Sequence, residues 1–293
     1  MAESPRHARE GKGGRGAPAL RVNGVISRPL LSLAHLTVLD ADPVRLIESA
    51  AAAGFDAVGL RIVPPLPTDT IVPVIGQPSL QRRIREKLRD TGLGILDVEA
   101  IWLMPHVDVA GLLPALDLAA ELEARYVLTV GHDPDWHRLC DNFSALCAAA
   151  ETRGLRVMLE FIPYAECASL AAAHRLLLAA SPNNSGLLVD ALHLSRARGG
   201  PDDLKNYDPK LFSYIHLCDA PKRPPAPAAL RDEARGGRLY PGEGGLWLKE
   251  FLAAFPVNTP IAIEAPNSAL SHVPPQQRAA LAMAATRRLL GAG

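Results

Sequence analysis

Residues 186–196 read GLLVDALHLSR, an apolar run that ends on Asp190 with a histidine three residues later. Three other apolar runs have the same form: VMLEF at 157–161, YIHLCD at 214–219 and IAIEAP at 261–266. Each places an acidic or histidine side chain after two or more apolar residues. A single buried polar residue would need no special explanation, but four of them at corresponding positions indicate a common purpose.

These four runs belong to a longer alternation that begins after residue 28. Short apolar runs predict strands at 30–36, 56–63, 94–103, 125–131, 156–162, 185–192, 211–220 and 260–267. Stretches with helical spacing lie between and after them, at 42–53, 79–91, 108–123, 135–153, 168–180, 201–206, 246–254 and 274–290.

Local signals support several of these helices. Asp42 with Pro43, and Pro78 with Ser79, supply residues typical of helix starts. Gly54 and Gly92 stand where glycines commonly end helices.

Eight strand–helix alternations over about 265 residues predict an α/β protein with a (β/α)₈ barrel, the TIM barrel. A doubly wound open sheet could also alternate in this way. That fold would have a glycine fingerprint after its first strand, where this sequence reads AHLTVLDADP at 34–43. We therefore predict one barrel domain over 28–293. Residues 1–27 are charged and rich in glycine, and we predict a disordered arm there.

Composition restricts the class of partner. Lysine plus arginine and aspartate plus glutamate both number 31, so the formal net charge of zero gives no support for nucleic-acid binding. No apolar run is long enough to span a bilayer. The cysteines form no CxxC pair and are expected to be reduced thiols: Cys140, Cys147, Cys167 and Cys218. These features predict a cytoplasmic protein with a small-molecule substrate and neither a nucleic-acid nor a membrane partner.

The strand ends predict a metal site. In such barrels, chemistry occurs at the C-terminal ends of the strands, and neighbouring strands lie about 4.8 Å apart. Glu160, Asp190, His216 and Glu264 should therefore converge at the barrel mouth. Three carboxylates buried together repel one another, and a divalent cation relieves that repulsion. The oxygen-rich set favours Mn²⁺, with Mg²⁺, Co²⁺ and Zn²⁺ as alternatives.

This quartet on strands five to eight resembles that of the xylose isomerase-like barrels, the sugar phosphate isomerase and epimerase family. The resemblance covers nearly all of the chain after residue 27 and implies the fold and a divalent metal. The family also includes inosose dehydratases, dehydroshikimate dehydratases and the three-zinc endonuclease IV, whose DNA substrate the neutral charge balance disfavours. Relatives are often dimers or tetramers, which implies a homo-oligomer.

Finer matches resemble the ketose epimerase branch, where a second glutamate and a histidine contact substrate hydroxyls. Glu166 stands six residues after Glu160, and His193 stands three after Asp190. The PGEG motif at 241–244 is also shared with many relatives.

Two departures from that branch put a simple ketose substrate in doubt. The epimerases carry an arginine six residues after the metal histidine, where this chain has Lys222. A long segment at 221–240 also precedes PGEG. This segment is either a solvated surface loop or a lid whose arginines hold an anionic group, with Arg235 and Arg238 favoured.

Earlier strands add further candidates for substrate binding. His35, Arg61 and Glu99 lie in or at the ends of strands one to three. Each could line the pocket or serve as a structural polar group.

The resemblance and the residues together predict an isomerase or epimerase of a sugar, sugar phosphate or related polyhydroxy carbonyl compound. The metal would stabilise an enediolate, while Glu160 and Glu264 move the proton on its two faces. Two alternatives remain open: a dehydratase or lyase acting on an inosose- or dehydroshikimate-like substrate, and a non-catalytic small-molecule-binding barrel.

Overall fold

The computed structural model describes residues 28–66, 68–180 and 182–291. Eight parallel strands follow one another in chain order around a closed barrel, with the first strand paired to the last. The strands are β1 Leu31–Leu33, β2 Ala57–Arg61, β3 Gly94–Leu103, β4 Tyr126–Gly131, β5 Arg156–Glu160, β6 Ser185–Asp190, β7 Ile215–Leu217 and β8 Ile261–Ile263. The predicted TIM barrel is confirmed, whereas the predicted arm at 1–27 lies outside the described residues.

Helices connect and surround the strands. They are α1 Pro43–Ala53, α2 Pro78–Thr91, α3 Leu113–Glu121, α4 Trp136–Glu151, α5 Leu170–Ala180, α6 Ala191–Arg196, α7 Leu230–Gly236, α8 Leu248–Ala253 and α9 Pro275–Leu290. None of the helices within the described ranges is long and apolar enough to cross a membrane. All four cysteines are free.

Several predicted helix signals are present in the structure. The Asp42 side chain accepts hydrogen bonds from the backbone N–H groups of Val44 and Arg45, and so caps α1. Gly54 ends α1 with φ of 84° and Gly92 ends α2 with φ of 73°, a left-handed conformation that favours glycine. Helix α2 begins at Pro78, one residue before the predicted start at 79, with Gln77 as the residue that precedes it.

Replacing Asp42 with alanine should destabilise the protein by about 1 kcal/mol, because two N–H groups of α1 lose their acceptor. Gln77→Ala is a matched control, since Gln77 holds the corresponding position before α2 without a side-chain capping bond. Urea unfolding of both variants measures the difference. Equal losses in the two would contradict the capping role.

The clearest departures from the predicted elements lie around β6 and β7. The predicted strand at 185–192 stops at Asp190, because this side chain accepts the N–H groups of Leu192 and His193 and starts α6. The predicted helix at 201–206 is a 3-10 helix. Helix α7 was not predicted, since the prolines before it mask the short helical stretch that follows.

The packing of the barrel interior shows where the four predicted metal ligands lie along the barrel axis. Met158, Leu188, Tyr214 and Ala262 pack together in one apolar cluster, and each lies two residues before one of the four predicted metal ligands. Since side chains two residues apart in a strand point to the same face, the four ligands lie one layer higher on the inner face.

Candidate metal centre and adjoining cavity

The four predicted ligands come together at the C-terminal mouth of the barrel. Glu160 ends β5, Asp190 ends β6, His216 lies within β7 and Glu264 directly follows β8. One ligand atom from each lies within 4.8 Å of the others, and all four residues are buried. Carboxylate oxygens and one imidazole nitrogen at such distances form a donor set suited to a divalent ion.

The hydrogen bonding of this cluster is incomplete. Among the described residues, Glu160 Oε1 and both ring nitrogens of His216 lack a hydrogen-bond partner. The Nδ1 atom of His216 lies 3.8 Å from Glu160 Oε1, 3.9 Å from Asp190 Oδ2 and 3.5 Å from Glu264 Oε2. Donors bound about 2.1 Å from one ion are separated by roughly 3 to 4 Å, so these residues fit a shared cation.

Arg238 supplies a positive charge beside the cluster. Its side chain is buried, and its guanidinium contacts Asp190 Oδ2 at 2.6 Å and Glu264 Oε2 at 2.9 Å. Its Nε also donates to the carbonyl of Ala234 at 2.8 Å. Arg238 was predicted to hold an anionic group of the substrate. In the structure its guanidinium instead pairs with two of the predicted metal ligands.

The pKa values of the two glutamates of the quartet shift in opposite directions. Burial raises the pKa of Glu160 well above its ordinary value, and the nearby His216 only partly offsets this. Burial also acts on Glu264, but Arg238 and His216 outweigh it and lower the pKa of that carboxyl. The pKa of His216 rises to about 10, because Glu264 and Glu160 favour the imidazolium more strongly than burial opposes it.

A cavity adjoins the quartet. Its polar lining consists of Arg61, Glu160, His193, Arg235, Arg238 and Glu264. Its apolar lining consists of Leu36, Pro65, Ala100, Trp102, Leu128, Ile162, Tyr164 and Ala234. His193 is held neutral near pH 7, since burial lowers its pKa to about 4. Of the eight residues predicted to bind substrate, four line this cavity.

The C-terminal part of segment 221–240 lines the cavity through Ala234, Arg235 and Arg238. Arg235 of α7 pairs with Asp69, in the loop after β2, at 2.7 Å. Backbone bridges join Gly237 to Asn267 and Asp219 to Leu239. These contacts fix the position of α7 beside the cavity.

Two predicted substrate contacts do not reach the cavity. Glu166 is exposed, and its backbone N–H donates to Nδ1 of His132. Lys222 is also exposed, and its backbone and Cβ lie against Gly245. Both predictions came from spacing in loops, where the same sequence offset can place a side chain in different directions.

His35 and Glu99 lie behind the cavity lining. In His35, Nε2 is 2.9 Å from the carbonyl of Ala41, and Nδ1 accepts the backbone N–H of Arg61 at 3.2 Å. Burial lowers the pKa of His35 to about 4, which fits this neutral ring. Glu99 Oε1 accepts the N–H of His35, and burial raises the pKa of Glu99. Both residues support Arg61 from behind.

A polar pair inside the barrel was not predicted from the sequence. The hydroxyl of Tyr214 donates to Asp97 Oδ2 at 2.7 Å, and burial raises the pKa of Asp97 to about 7. Tyr214 also packs its ring edgewise against His216, with ring centroids 5.7 Å apart. The acidic residues in the apolar strand GILDVEAIWL were the available signal for Asp97.

The fold agrees with the comparisons to known proteins. The model of the xylose isomerase-like TIM barrel family matches residues 47–289. This chain therefore belongs to that family. No curated protein matches the chain.

Solved structures with the same fold share little sequence with this chain. A fusion of a xylose isomerase-like TIM barrel with 4-hydroxyphenylpyruvate dioxygenase is 20% identical with a TM-score of 0.73, over 90% of this chain and 44% of that one. The chain thus spans less than half of that fusion protein. The IolI protein with a bound zinc atom is 17% identical with a TM-score of 0.74, over 89% and 98%. D-allulose 3-epimerase from Methylomonas sp. is 16% identical with a TM-score of 0.66, over 89% and 98%.

Proposed function

We propose that this protein is a divalent-metal-dependent isomerase or epimerase of a sugar, sugar phosphate or related polyhydroxy carbonyl compound. The observation that carries the proposal is the buried quartet of Glu160, Asp190, His216 and Glu264. Membership in the xylose isomerase-like family supports it, as does the likeness in fold to an epimerase and to a zinc-containing protein.

The quartet would hold the ion through three carboxylates and the Nδ1 atom of His216. We propose Mn²⁺ as its occupant, on the chemistry of the oxygen-rich donor set. When bound, such an ion acts as a Lewis acid that polarises a carbonyl and makes the neighbouring C–H more acidic.

Proton transfer is assigned to the two glutamates. Glu160 comes from β5 and Glu264 from the end of β8, so they approach the site from opposite ends of the four-strand arc. An epimerase needs groups on both faces of a planar intermediate, one to remove the proton and one to return it. Glu160 is the better candidate for the first step, since its Oε1 has no partner among the described residues.

The cavity lining orients the substrate. His193 presents a neutral imidazole that can exchange hydrogen bonds with a hydroxyl group. Trp102 and Tyr164 offer apolar surface for the carbon skeleton. Helix α7, held by Arg235 and Asp69, would keep water away from the reacting atoms.

The test is hydrogen exchange at the carbon next to the carbonyl. The purified protein should carry one divalent ion per chain by elemental mass spectrometry. Incubation with ketoses, sugar phosphates, inososes and dehydroshikimate in D₂O should place deuterium in one of them, as read by mass spectrometry of the recovered compound. A chelator should abolish the exchange, and added Mn²⁺ should restore it.

The product then identifies the reaction. An epimer or an isomeric carbonyl compound would support the proposal. Loss of water from the substrate would show a dehydratase, which shares the first proton abstraction. Failure to bind any divalent ion would overturn the metal site and favour a binding barrel without catalysis.

A further inference from the structure

The end of β2 carries a buried cation with unused hydrogen-bonding capacity. Arg61 is only 5% exposed and lines the cavity beside the quartet. A guanidinium has five N–H donors, yet within the described residues the side chain of Arg61 makes one hydrogen bond, from Nη2 to Glu99 Oε2 at 3.3 Å. Its Nε is buried without a partner among the described residues. A buried charge in this condition is costly unless a ligand completes its contacts.

Glu99 does not complete those contacts. Strong pairs between arginine and carboxylate have N–O distances of about 2.7–2.9 Å and often use two parallel bonds. Arg196 and Glu233 form such a pair in this protein, at 2.8 and 2.7 Å. Arg61 and Glu99 have one long contact instead, and the other oxygen of Glu99 already accepts the N–H of His35 at 2.9 Å.

The backbone of Arg61 is fixed before any ligand arrives. Its N–H donates to Nδ1 of His35, whose other ring nitrogen contacts the carbonyl of Ala41. Two residues earlier, Gly59 packs so closely on β3 that a Cβ atom would lie 2.5 Å from Glu99 Oε1. A buried arginine on a rigid strand loses little entropy when it binds an anion.

Arg61 also has a defined position relative to the proposed chemistry. It shares the cavity with Glu160, His193 and Glu264. Strands β2 and β8 both pair with β1, so Arg61 approaches from the side of the barrel next to Glu264. A substrate with its carbonyl at the quartet could direct its other end toward β2.

We propose that Arg61 binds an anionic group of the substrate, a carboxylate or a phosphate, so that the substrate is a polyhydroxy carbonyl acid or a sugar phosphate. This inference rests on the proposed function and narrows its substrate class. Neutral ketoses would leave the guanidinium of Arg61 without an acceptor and would be poor substrates.

Binding of unreactive probes tests the proposal without turnover. D-Glucitol, D-gluconate and D-glucitol 6-phosphate have similar carbon chains, and none has an aldehyde or ketone group; the first is neutral, the second carries a carboxylate and the third a phosphate. Calorimetry on the metal-loaded protein should show that one of the two anions binds about 10- to 100-fold more tightly than glucitol, as expected for charge-assisted hydrogen bonds. The preferred anion then identifies the group as carboxylate or phosphate. No preference for either anion in the wild-type protein would overturn the proposal.

Substitutions of single arginines test whether Arg61 causes the preference for the anionic probe. Arg61→Gln should reduce the ratio of anion to glucitol affinity to near one, and Arg61→Lys should retain part of it, because lysine keeps the charge but loses the planar fork. Arg196→Gln is the matched control and should keep the preference, because this buried arginine has two bonds to Glu233 and lies outside the cavity lining. A preference that persists in Arg61→Gln would come from the metal or another cation and would overturn the proposal.

Different measurements would contradict the proposed function and the proposed role of Arg61. Metal content and deuterium exchange report on the proposed function. The affinity ratio between anionic and neutral probes reports on Arg61. Arg61→Gln should still bind one divalent ion per chain, since among the described residues Arg61 forms no hydrogen bond or ion pair with the four predicted ligands.

Discussion

Replacement of Glu160 with glutamine is expected to lower metal-dependent deuterium exchange by about 10³-fold, within the range of 10² to 10⁴ typical of general acid–base catalysis. Glutamine keeps the shape of the side chain and one oxygen donor but cannot accept the proton. The measurement is the initial rate of deuterium incorporation at saturating Mn²⁺, with the metal content of each variant determined in the same samples.

The structure singles out Glu160 within the quartet. Asp190 uses one oxygen to cap α6 and the other to pair with Arg238. Glu264 also pairs with Arg238, which keeps this carboxylate ionised. Among the described residues, Glu160 has no hydrogen-bonded arginine, and its Oε1 has no hydrogen-bond partner, so this oxygen is free to accept a proton.

Glu166→Gln is the matched control for this prediction. Glu166 carries the same functional group only six residues away but is exposed and outside the cavity lining. Its substitution should leave the exchange rate within about twofold, because surface substitutions have small effects. A Glu160→Gln protein with full metal occupancy and an unchanged rate would contradict the assignment.

The barrel and the cluster of four predicted ligands could be predicted from the sequence, because both follow from the regular spacing of apolar residues along the chain. Apolar runs separated by helical stretches determine the order of strands, and parallel strands bring their C-terminal ends to one edge. Glu160, Asp190, His216 and Glu264 each follow an inward-facing residue by two positions, so the pleat of the strand directs them inward. This pattern can be recognised without any knowledge of the loops.

The rest of the site depends on contacts between distant parts of the chain. Asp69 meets Arg235 across 166 residues, and Arg238 reaches Asp190 across 48. Offsets counted along loops did not place Glu166 and Lys222 in the cavity lining, because loop conformation is not periodic. Such contacts are set by tertiary packing, and neither composition nor spacing records them.

Replacement of Arg238 with glutamine should destabilise the metal-free protein by about 3–5 kcal/mol, the usual cost of removing one partner from a buried ion pair. Arg238 is 1% exposed and lies between Asp190 and Glu264, so its loss leaves two buried carboxylates without their cation. A divalent ion in the quartet would supply positive charge to the same oxygens. Saturating metal should therefore remove much of the difference between variant and wild type.

Arg196→Gln provides the matched comparison, because Arg196 forms a buried two-bond pair with Glu233 and contacts no quartet residue within the described ranges. Its destabilisation should be the same with chelator and with metal. Urea unfolding of the three proteins under both conditions gives the required differences. If the loss in Arg238→Gln were equally insensitive to metal, Arg238 would be a general structural residue, and the idea that arginine and metal share the neutralisation of Asp190 and Glu264 would be wrong.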